Sequence, residues 1–189
     1  PQFQMLKDPD KITEKEFLLF DTIKEVISRG EAALIYFTYI PTLERIKYIL
    51  GKVKDRLGIP NFHEISGNIK ENQRRLVESS IVPGDVVLIT SAGTESINLQ
   101  RANNLIFYET PFPLREFIQA CGRITRTNSE YELFKVYILE AVGTIDTYKK
   151  TRLQSYMGTI RMVLGDNNTL PIEILILTMK RTSRDCWTK

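Results

Sequence analysis

The stretch ALIYF, residues 33–37, is an unbroken apolar run of the length of a β-strand. Because side chains alternate between the two faces of a strand, such a run is expected to be covered on both faces. Both faces are covered in a parallel sheet that lies between two layers of helices. The stretch DVVLIT, residues 85–90, contains a second apolar run, between Asp85 and Thr90. The two runs therefore predict an α/β fold with a mainly parallel sheet.

Helical and strand patterns alternate along the chain around these two runs. Thr13 and Glu16 have the spacing of a capping box, which predicts a first helix that ends near Gly30. A second helix is predicted from Pro41 to about Leu57. Further strands are predicted at 61–65, 104–109 and 133–139, with helical segments between them. This order predicts a three-layer α/β/α domain, with right-handed crossovers between its strands.

The pattern changes after Gly143. Residues 144–165 predict one long amphipathic helix, and the segment from 172 to the end, which finishes in a basic polar tail, is compatible with strand or helix. We therefore divide the chain into a leading segment and helix at 1–29, the α/β domain at 30–142, and a helical extension with a basic tail at 143–189.

Composition sets broad limits on function. The formal net charge of +3 permits a polyanionic partner without requiring one. Cys121 and Cys186 are too far apart in sequence to suggest a disulfide framework or a metal motif, and we expect an intracellular protein, cytoplasmic or, in a eukaryote, nuclear. No apolar run is long enough to span a bilayer, so we expect no membrane association.

Several catalytic signatures are absent from the 189 residues. There is no GxxxxGK[ST] phosphate loop, no GxGxxG after the first strand, and no Asp-Glu pair at a strand end that would hold Mg²⁺. The single histidine, His63, lies within a predicted strand and is interpreted as an ordinary strand residue. No metal site is predicted. The chain alone is therefore expected not to hydrolyse a nucleotide, although it can supply groups to a nucleotide held elsewhere.

Five segments, in their order and spacing, resemble the C-terminal RecA-like lobe of superfamily-two helicases, and most closely the Swi/Snf-like DNA translocases. QACGRITR at 119–126 fits the motif VI pattern Gln-x-x-Gly-Arg-x-x-Arg. VLITSAGTESINL at 87–99 is similar to motif V, and LIYFTYIPTLERI at 34–46 is similar to motif IV. ISGNIKENQRR at 65–75 and VGTIDTYKK at 142–150 resemble the segments that follow motifs IV and VI.

The resemblance implies an ATP-dependent motor in which ATP and Mg²⁺ are held mainly by an N-terminal RecA-like lobe. Arg123 and Arg126 are then expected to reach the γ-phosphate, with Gln119 one helical turn before them. Arginine suits this task because its planar, permanently charged fork binds two oxygens. The resemblance further implies nucleotide contacts by Gly93, Ser96, Asn98 and Gly122. The alternative for the arginines is that they are solvated or cap the end of their helix.

Polar residues just past the predicted strands suggest a second site. Hydroxyl groups, amides and backbone N–H groups at such positions bind phosphates without regard to base sequence. We expect them to contact the backbone of nucleic acid, and double-stranded DNA in particular by resemblance. The candidates are Thr38, Gly67, Asn68, Arg74, Thr90 and Ser91. Helix capping is the alternative for Thr and Asn, and a solvated helix position is the alternative for Arg74.

The sequence departs from the Swi/Snf-like pattern at several positions. Thr94 and Ser96 replace glycines of motif V, Thr125 replaces a histidine of motif VI, and ETPFPLRE at 109–116 replaces Asp-x-x-Trp-Asn-Pro. Among the aromatic residues near strand ends, Phe37 and Phe107 are expected in the core, whereas Tyr39 is left open between the core and base stacking. Two further functions remain: an RNA helicase, or a non-catalytic nucleic-acid-binding or protein-interaction module on the same scaffold.

Overall fold

The computed structural model describes residues 11–94, 99–125, 131–160 and 172–178. Six helices and six strands alternate along these residues. The strands are β1 (Ala33–Phe37), β2 (Phe62–Ile65), β3 (Val86–Thr90), β4 (Asn104–Phe107), β5 (Phe134–Glu140) and β6 (Ile172–Thr178). The helices are α1 (Glu14–Ser28), α2 (Ile40–Leu57), α3 (Glu71–Ser80), α4 (Ser91–Thr94), α5 (Leu114–Ile124) and α6 (Ile145–Ser155).

The strands form one sheet in the order β2-β3-β1-β4-β5-β6, and each neighbouring pair is parallel. β1 lies at the centre, with Ala33 beside both Val86 and Asn104. All five residues of β1 and of β3 are buried. The expected α/β fold with a mainly parallel sheet is confirmed.

The core is divided by the sheet into two layers. On one face α1 and α2 pack Leu19, Phe20 and Leu43 against alternate strand residues such as Ile35. On the other face α5 packs Phe117, Ala120 and Cys121 against strand residues that include Leu34 and Phe107. The alternation of a β-strand explains the division, since successive side chains of β1 enter opposite layers. The three-layer arrangement is confirmed.

Helix ends follow the signals read from the sequence. The Thr13 side chain accepts a hydrogen bond from the Glu16 N–H at 3.3 Å, and Glu16 Oε2 accepts one from the Thr13 N–H at 2.6 Å. This is the expected capping box of α1. α2 has Pro41 in its first turn and ends at Gly58, whose φ of 71° lies in the left-handed region that glycine adopts without strain.

The C-terminal region differs from the expectation. The single helix predicted at 144–165 is interrupted, because α6 ends at Ser155 and helical structure resumes only over 157–160 after Tyr156. Within the segment that was compatible with strand or helix, residues 172–178 form a strand. All seven residues of β6 pair with β5, so the extension adds a strand to the sheet and is not wholly helical. The division at residue 142 stays a prediction.

Candidate functional site: the carboxyl edge of the sheet and helix α5

Parallel strands bring several of the predicted residues to one edge. Because all the strands run in the same direction, the loops after β1, β2, β3, β4 and β5 leave the sheet on the same side, which we call the carboxyl edge. Thr38 follows β1 and Thr90 ends β3, and these strands are neighbours, with Phe37 beside Thr90. Gly67 lies beside α4, since a Cβ placed on it would be 3.1 Å from the Cβ of Ala92.

The side-chain hydroxyls of Thr38 and Thr90 share an uncommon property. Both oxygen atoms are buried, and neither has a hydrogen-bond partner within the described part of the chain. Buried polar groups normally find a partner, so each hydroxyl retains an unused hydrogen bond. The two groups lie at the ends of adjacent strands, at the edge where phosphate contacts were expected.

The backbone at the start of α2 is already occupied. Glu109 Oε2 accepts hydrogen bonds from the N–H groups of Thr38 at 3.0 Å and Tyr39 at 3.2 Å, and its Oε1 accepts one from the Thr42 hydroxyl at 2.8 Å. A carboxylate is favoured here, because N–H groups at a helix start lack intrahelical partners and carry partial positive charge. The sequence pattern did not predict this role of Glu109. The available signal was an acidic residue at the end of a predicted strand.

Arg74 holds two loops together. Its guanidinium donates hydrogen bonds to the carbonyl oxygens of Ile69 at 2.7 Å, Gly67 at 3.2 Å and Ala92 at 3.3 Å. These bonds join the turn after β2 to helix α4. Asn68 lies exposed on this turn, and Ser91 is exposed at the start of α4. Arg74 therefore has a structural role in positioning both loops, whatever it contacts outside the chain.

Gly93 is required by close packing. A Cβ at this position would lie 1.9 Å from the carbonyl oxygen of Ile65 and 3.0 Å from the N atom of Ser66. No real side chain approaches backbone so closely, so only glycine fits α4 against the end of β2. The packing explains this glycine without a nucleotide, and the nucleotide contact expected for it stays a prediction.

Helix α5 carries the described part of motif VI on one face. Gln119, Gly122 and Arg123 are half-buried, whereas Phe117, Ala120, Cys121 and Ile124 turn into the core. Residues three and four apart in a helix share a face, so the first three lie together. Gln119 also lines a shallow groove with Leu114, Arg115 and Ile118.

Arg123 lies in the last turn of α5, where a cation is favoured by the helix dipole. Its Nε is buried and has no hydrogen-bond partner in the ranges that the structure describes. Its carbonyl oxygen accepts a hydrogen bond from the Leu99 N–H at 3.2 Å, which ties the end of motif V to motif VI. A Cβ added to Gly122 would meet nothing within 4 Å. The surface around this glycine is therefore open.

Three of the predicted residues lie outside the described ranges: Arg126, Ser96 and Asn98. The roles expected for them stay predictions. Within the described residues, no group of three or more His, Cys, Asp and Glu side chains is arranged to hold a metal ion. No helix in the same ranges is long and apolar enough to cross a membrane.

Charged and hydroxyl groups near the carboxyl edge are shifted in pKa by burial and by their neighbours. Burial raises the pKa of the Tyr36 phenol well above its usual range, and the nearby Glu116 carboxylate raises it further. Burial also raises the pKa of Glu64, but hydrogen bonds from Lys47 and Ser66 outweigh this effect and leave it below its usual value. Glu64 is therefore charged at neutral pH, and it holds Ser66 at the end of β2 through a 2.5 Å hydrogen bond.

Comparison with known proteins places the chain in a protein family. Residues 18–128 match the family model described as the helicase conserved C-terminal domain. A protein of Methanocaldococcus jannaschii, MJ1505, which is named as an ATP-dependent RNA helicase, is 32% identical over 133 residues. The match covers 67% of this chain and 16% of that protein, so the chain spans a small part of the relative's length.

Two solved structures have a similar fold. The C-terminal part of the Fun30 ATPase domain matches with a TM-score of 0.62 and 23% identity, over 72% of this chain and 44% of that chain. Domain 2 of the Mss116p DEAD-box helicase, bound to an RNA duplex, matches with a TM-score of 0.55 and 18% identity, over 66% of this chain and 48% of that chain. At these identities the two structures show that the fold is shared.

Proposed function

Because this chain belongs to the helicase conserved C-terminal domain family, we propose that it is the second motor lobe of a two-lobe, ATP-dependent helicase or translocase that acts on double-stranded DNA. The observation that carries the proposal is Arg123. Its Nε is buried without a partner in the described ranges, on the helix face that Gln119 and the open Gly122 share. Arg123 is half-buried and its guanidinium keeps an unused donor, which is suited to an anion supplied by another part of the protein.

ATP with Mg²⁺ fits this face as a ligand shared between lobes. Bound ATP supplies the phosphoryl group that is transferred to water. Arg123 would contact the phosphates, Gln119 would orient the arginine or the nucleotide, and Gly122 would leave room for a close approach. The sequence has no phosphate loop, so an N-terminal lobe would hold the nucleotide and the metal. Arg126 is expected to act beside Arg123.

The arginine would act on charge that develops during the reaction. Negative charge spreads over the γ-phosphate oxygens as the bond to the leaving group loosens, and an arginine from a facing lobe stabilises it. Closure of the two lobes would bring Arg123 to this position, and opening after hydrolysis would withdraw it. The chain's part in catalysis is therefore positional and electrostatic.

The carboxyl edge would follow the phosphate backbone of the nucleic acid. The exposed Asn68 and Ser91 offer neutral hydrogen-bonding groups to phosphate oxygens. The unused hydroxyls of Thr38 and Thr90 lie buried beside them and would join these contacts if nucleic-acid binding exposed them. Double-stranded DNA is favoured by the likeness of motif V to the Swi/Snf-like translocases. The archaeal relative is named as an RNA helicase and the Mss116p domain binds an RNA duplex, so duplex RNA is the alternative that must be measured.

The first test is the ATPase activity of the longest natural form of the protein, with and without duplex DNA or duplex RNA. We expect Arg123→Ala to lower the stimulated kcat by about 10³-fold or more, with little change in the unfolding midpoint. Arg123→Lys should restore little of the stimulated kcat, because a lysine keeps the positive charge but lacks the planar guanidinium fork. Arg152→Ala on the exposed surface of α6 is the matched control. Near-normal turnover by Arg123→Ala would contradict the proposed role.

A non-catalytic module is the second candidate, and two contacts favour it. The amides at the start of α2 are bonded by Glu109, and Arg74 is bonded to three carbonyl oxygens, so the fold itself accounts for part of the expected phosphate site. The gene region upstream of Pro1 separates the candidates. A phosphate loop and an acidic pair encoded there support the motor, whereas a stop codon followed by an independent start supports the module.

A further inference from the structure

Two aromatic rings are stacked on each other in solvent. Phe112 is 58% exposed and Tyr148 is 52% exposed. Their ring centroids are 6.3 Å apart and their planes differ by 18°. The largest aromatic side chains of the core, such as Phe107 and Phe117, are by contrast fully buried. The nearly parallel pair therefore leaves more than half of each large side chain open to solvent.

The pair belongs to the carboxyl edge. Phe112 lies in the loop that follows β4, and Tyr148 lies in α6, which begins just after β5. β4 and β5 are neighbours, and β4 also adjoins β1, whose following residue Thr38 carries an unused hydroxyl. The rings therefore lie on the same edge as the proposed phosphate contacts, towards its β5 side. Tyr39, 50% exposed after β1, lies at this edge as well.

The charges around the rings favour an anionic partner. Arg115, three residues after Phe112, and Lys149, next to Tyr148, have no carboxylate partner in the described ranges. The neighbouring carboxylates are engaged within the fold: those of Glu140 with Lys150, Asp146 with Lys15, Glu109 with the start of α2, and Glu116 with the Tyr36 hydroxyl. Arg115 and Lys149, which have no carboxylate partner of their own in these ranges, can each pair with a phosphate beside the exposed rings, and nucleic acid combines such phosphates with flat apolar groups.

We propose that the Phe112–Tyr148 pair stacks on an unpaired base of the nucleic acid whose phosphates follow the carboxyl edge. The inference rests on the proposed function and adds to it a preference for a strand with at least one unstacked base, as at a junction or a single-stranded end. Stacking does not depend on the identity of the base, because every base has a π-face. The pair would therefore bind without sequence specificity.

The test separates bases from phosphates. The longest natural form of the protein is titrated with two single-stranded oligonucleotides of equal length, one carrying bases and one built from abasic residues, at fixed salt. We expect tighter binding of the base-carrying strand, and we expect Phe112→Leu and Tyr148→Leu each to weaken that binding by about fivefold to a hundredfold while leaving the abasic strand unaffected. Phe112→Trp should retain the preference. Tyr48→Leu, at an exposed tyrosine on α2, is the control.

The possible outcomes distinguish the stacking site from the proposed function. Loss of the base preference in Phe112→Leu, with quenched fluorescence of a 2-aminopurine strand in the wild type and not in the variant, supports the stacking site. Equal binding of the two strands by the wild type, or an unchanged preference in Phe112→Leu, overturns the site and leaves the proposed function standing. Absence of binding to duplex, single-stranded and abasic nucleic acid overturns both, and leaves the rings as a surface for another protein.

Discussion

Two glycines in neighbouring motifs have opposite surroundings. Gly93 touches the backbone of Ile65 so closely that a methyl group has no space, whereas a methyl group on Gly122 would meet nothing within 4 Å. Gly93 is therefore explained by packing within the chain. Packing does not explain Gly122. A helix usually gains stability when a glycine in such a position is replaced by alanine. The presence of Gly122 is consistent with the close approach of a ligand.

The contrast gives a prediction with two readouts. Gly122→Ala should raise the free energy of unfolding by about 0.5–1 kcal/mol and yet lower nucleic-acid-stimulated ATPase in the longest natural form. Gly93→Ala should lower the free energy of unfolding by about 1–3 kcal/mol, since backbone must move to admit the methyl group. Urea denaturation measures both changes. A Gly122→Ala protein that is more stable and fully active would show that no ligand approaches this face.

At the scale of the helix, α2 depends on a residue far away in sequence. The N–H groups of Thr38 and Tyr39, just before its first residue, are bonded by Glu109, which follows β4. We expect Glu109→Ala to lower the free energy of unfolding by about 1–2 kcal/mol, because the start of α2 loses its acceptor. Glu109→Gln should recover part of the loss by accepting through its carbonyl oxygen. Chemical denaturation of the three proteins is the measurement, and equal stability of all three would exclude the capping role.

The strands and helix ends show which features sequence patterns can predict and which they cannot. β1 and β3 were predictable because a run such as ALIYF requires cover on both faces wherever it occurs. The capping of α1 was predictable because Thr13 and Glu16 are three residues apart. The bonding of Glu109 to the start of α2 was not predictable, because residues 38 and 39 become its neighbours only when β4 is placed beside β1. Motif VI was located by its spacing, but the openness around Gly122 required the packed structure.

The segment IEILILT at 172–178 was ambiguous for a related reason. Its apolar residues suit both faces of a strand or a buried helix, and local periodicity does not separate the two. Pairing with β5 decides it: Ile174 and Ile176 pack in one layer, and Leu175 and Leu177 in the other. We expect a chain ending at 160 to be less stable than the full chain in thermal unfolding, because β5 would lose its outer neighbour. An unchanged melting temperature would show that β6 adds nothing to the sheet.

At the scale of the whole molecule, three carboxylates make the fold sensitive to acid. Burial raises the pKa of Glu31, Glu64 and Glu140, but hydrogen bonds to each outweigh burial and leave all three pKa values below the usual one. Glu31 is bonded by Arg29 at 2.8 Å and Asn103 at 3.0 Å. A lowered pKa in the folded state contributes stability that is present above the unfolded value, about 4.3, and is lost as pH falls through the folded pKa.

The free energy of unfolding should therefore fall as pH decreases below about 4.5. Urea midpoints measured between pH 7 and pH 3 test this, and Glu31→Gln should flatten part of the decline while lowering stability at pH 7. Glu78→Gln, on α3, is the control and should leave the slope unchanged. A flat profile across this range would mean that the three carboxylates titrate alike in the folded and unfolded chain.

An all-parallel sheet with its first strand at the centre also has a consequence for how the protein forms. Residue 33 must find residues 86 and 104 as neighbours, and no tight hairpin can hold any of these strands in the meantime. Proteins dominated by such distant pairings fold slowly. During synthesis β1 leaves the ribosome before both of its neighbours, so the buried middle of the sheet is the part of this domain that stays without its partners for longest.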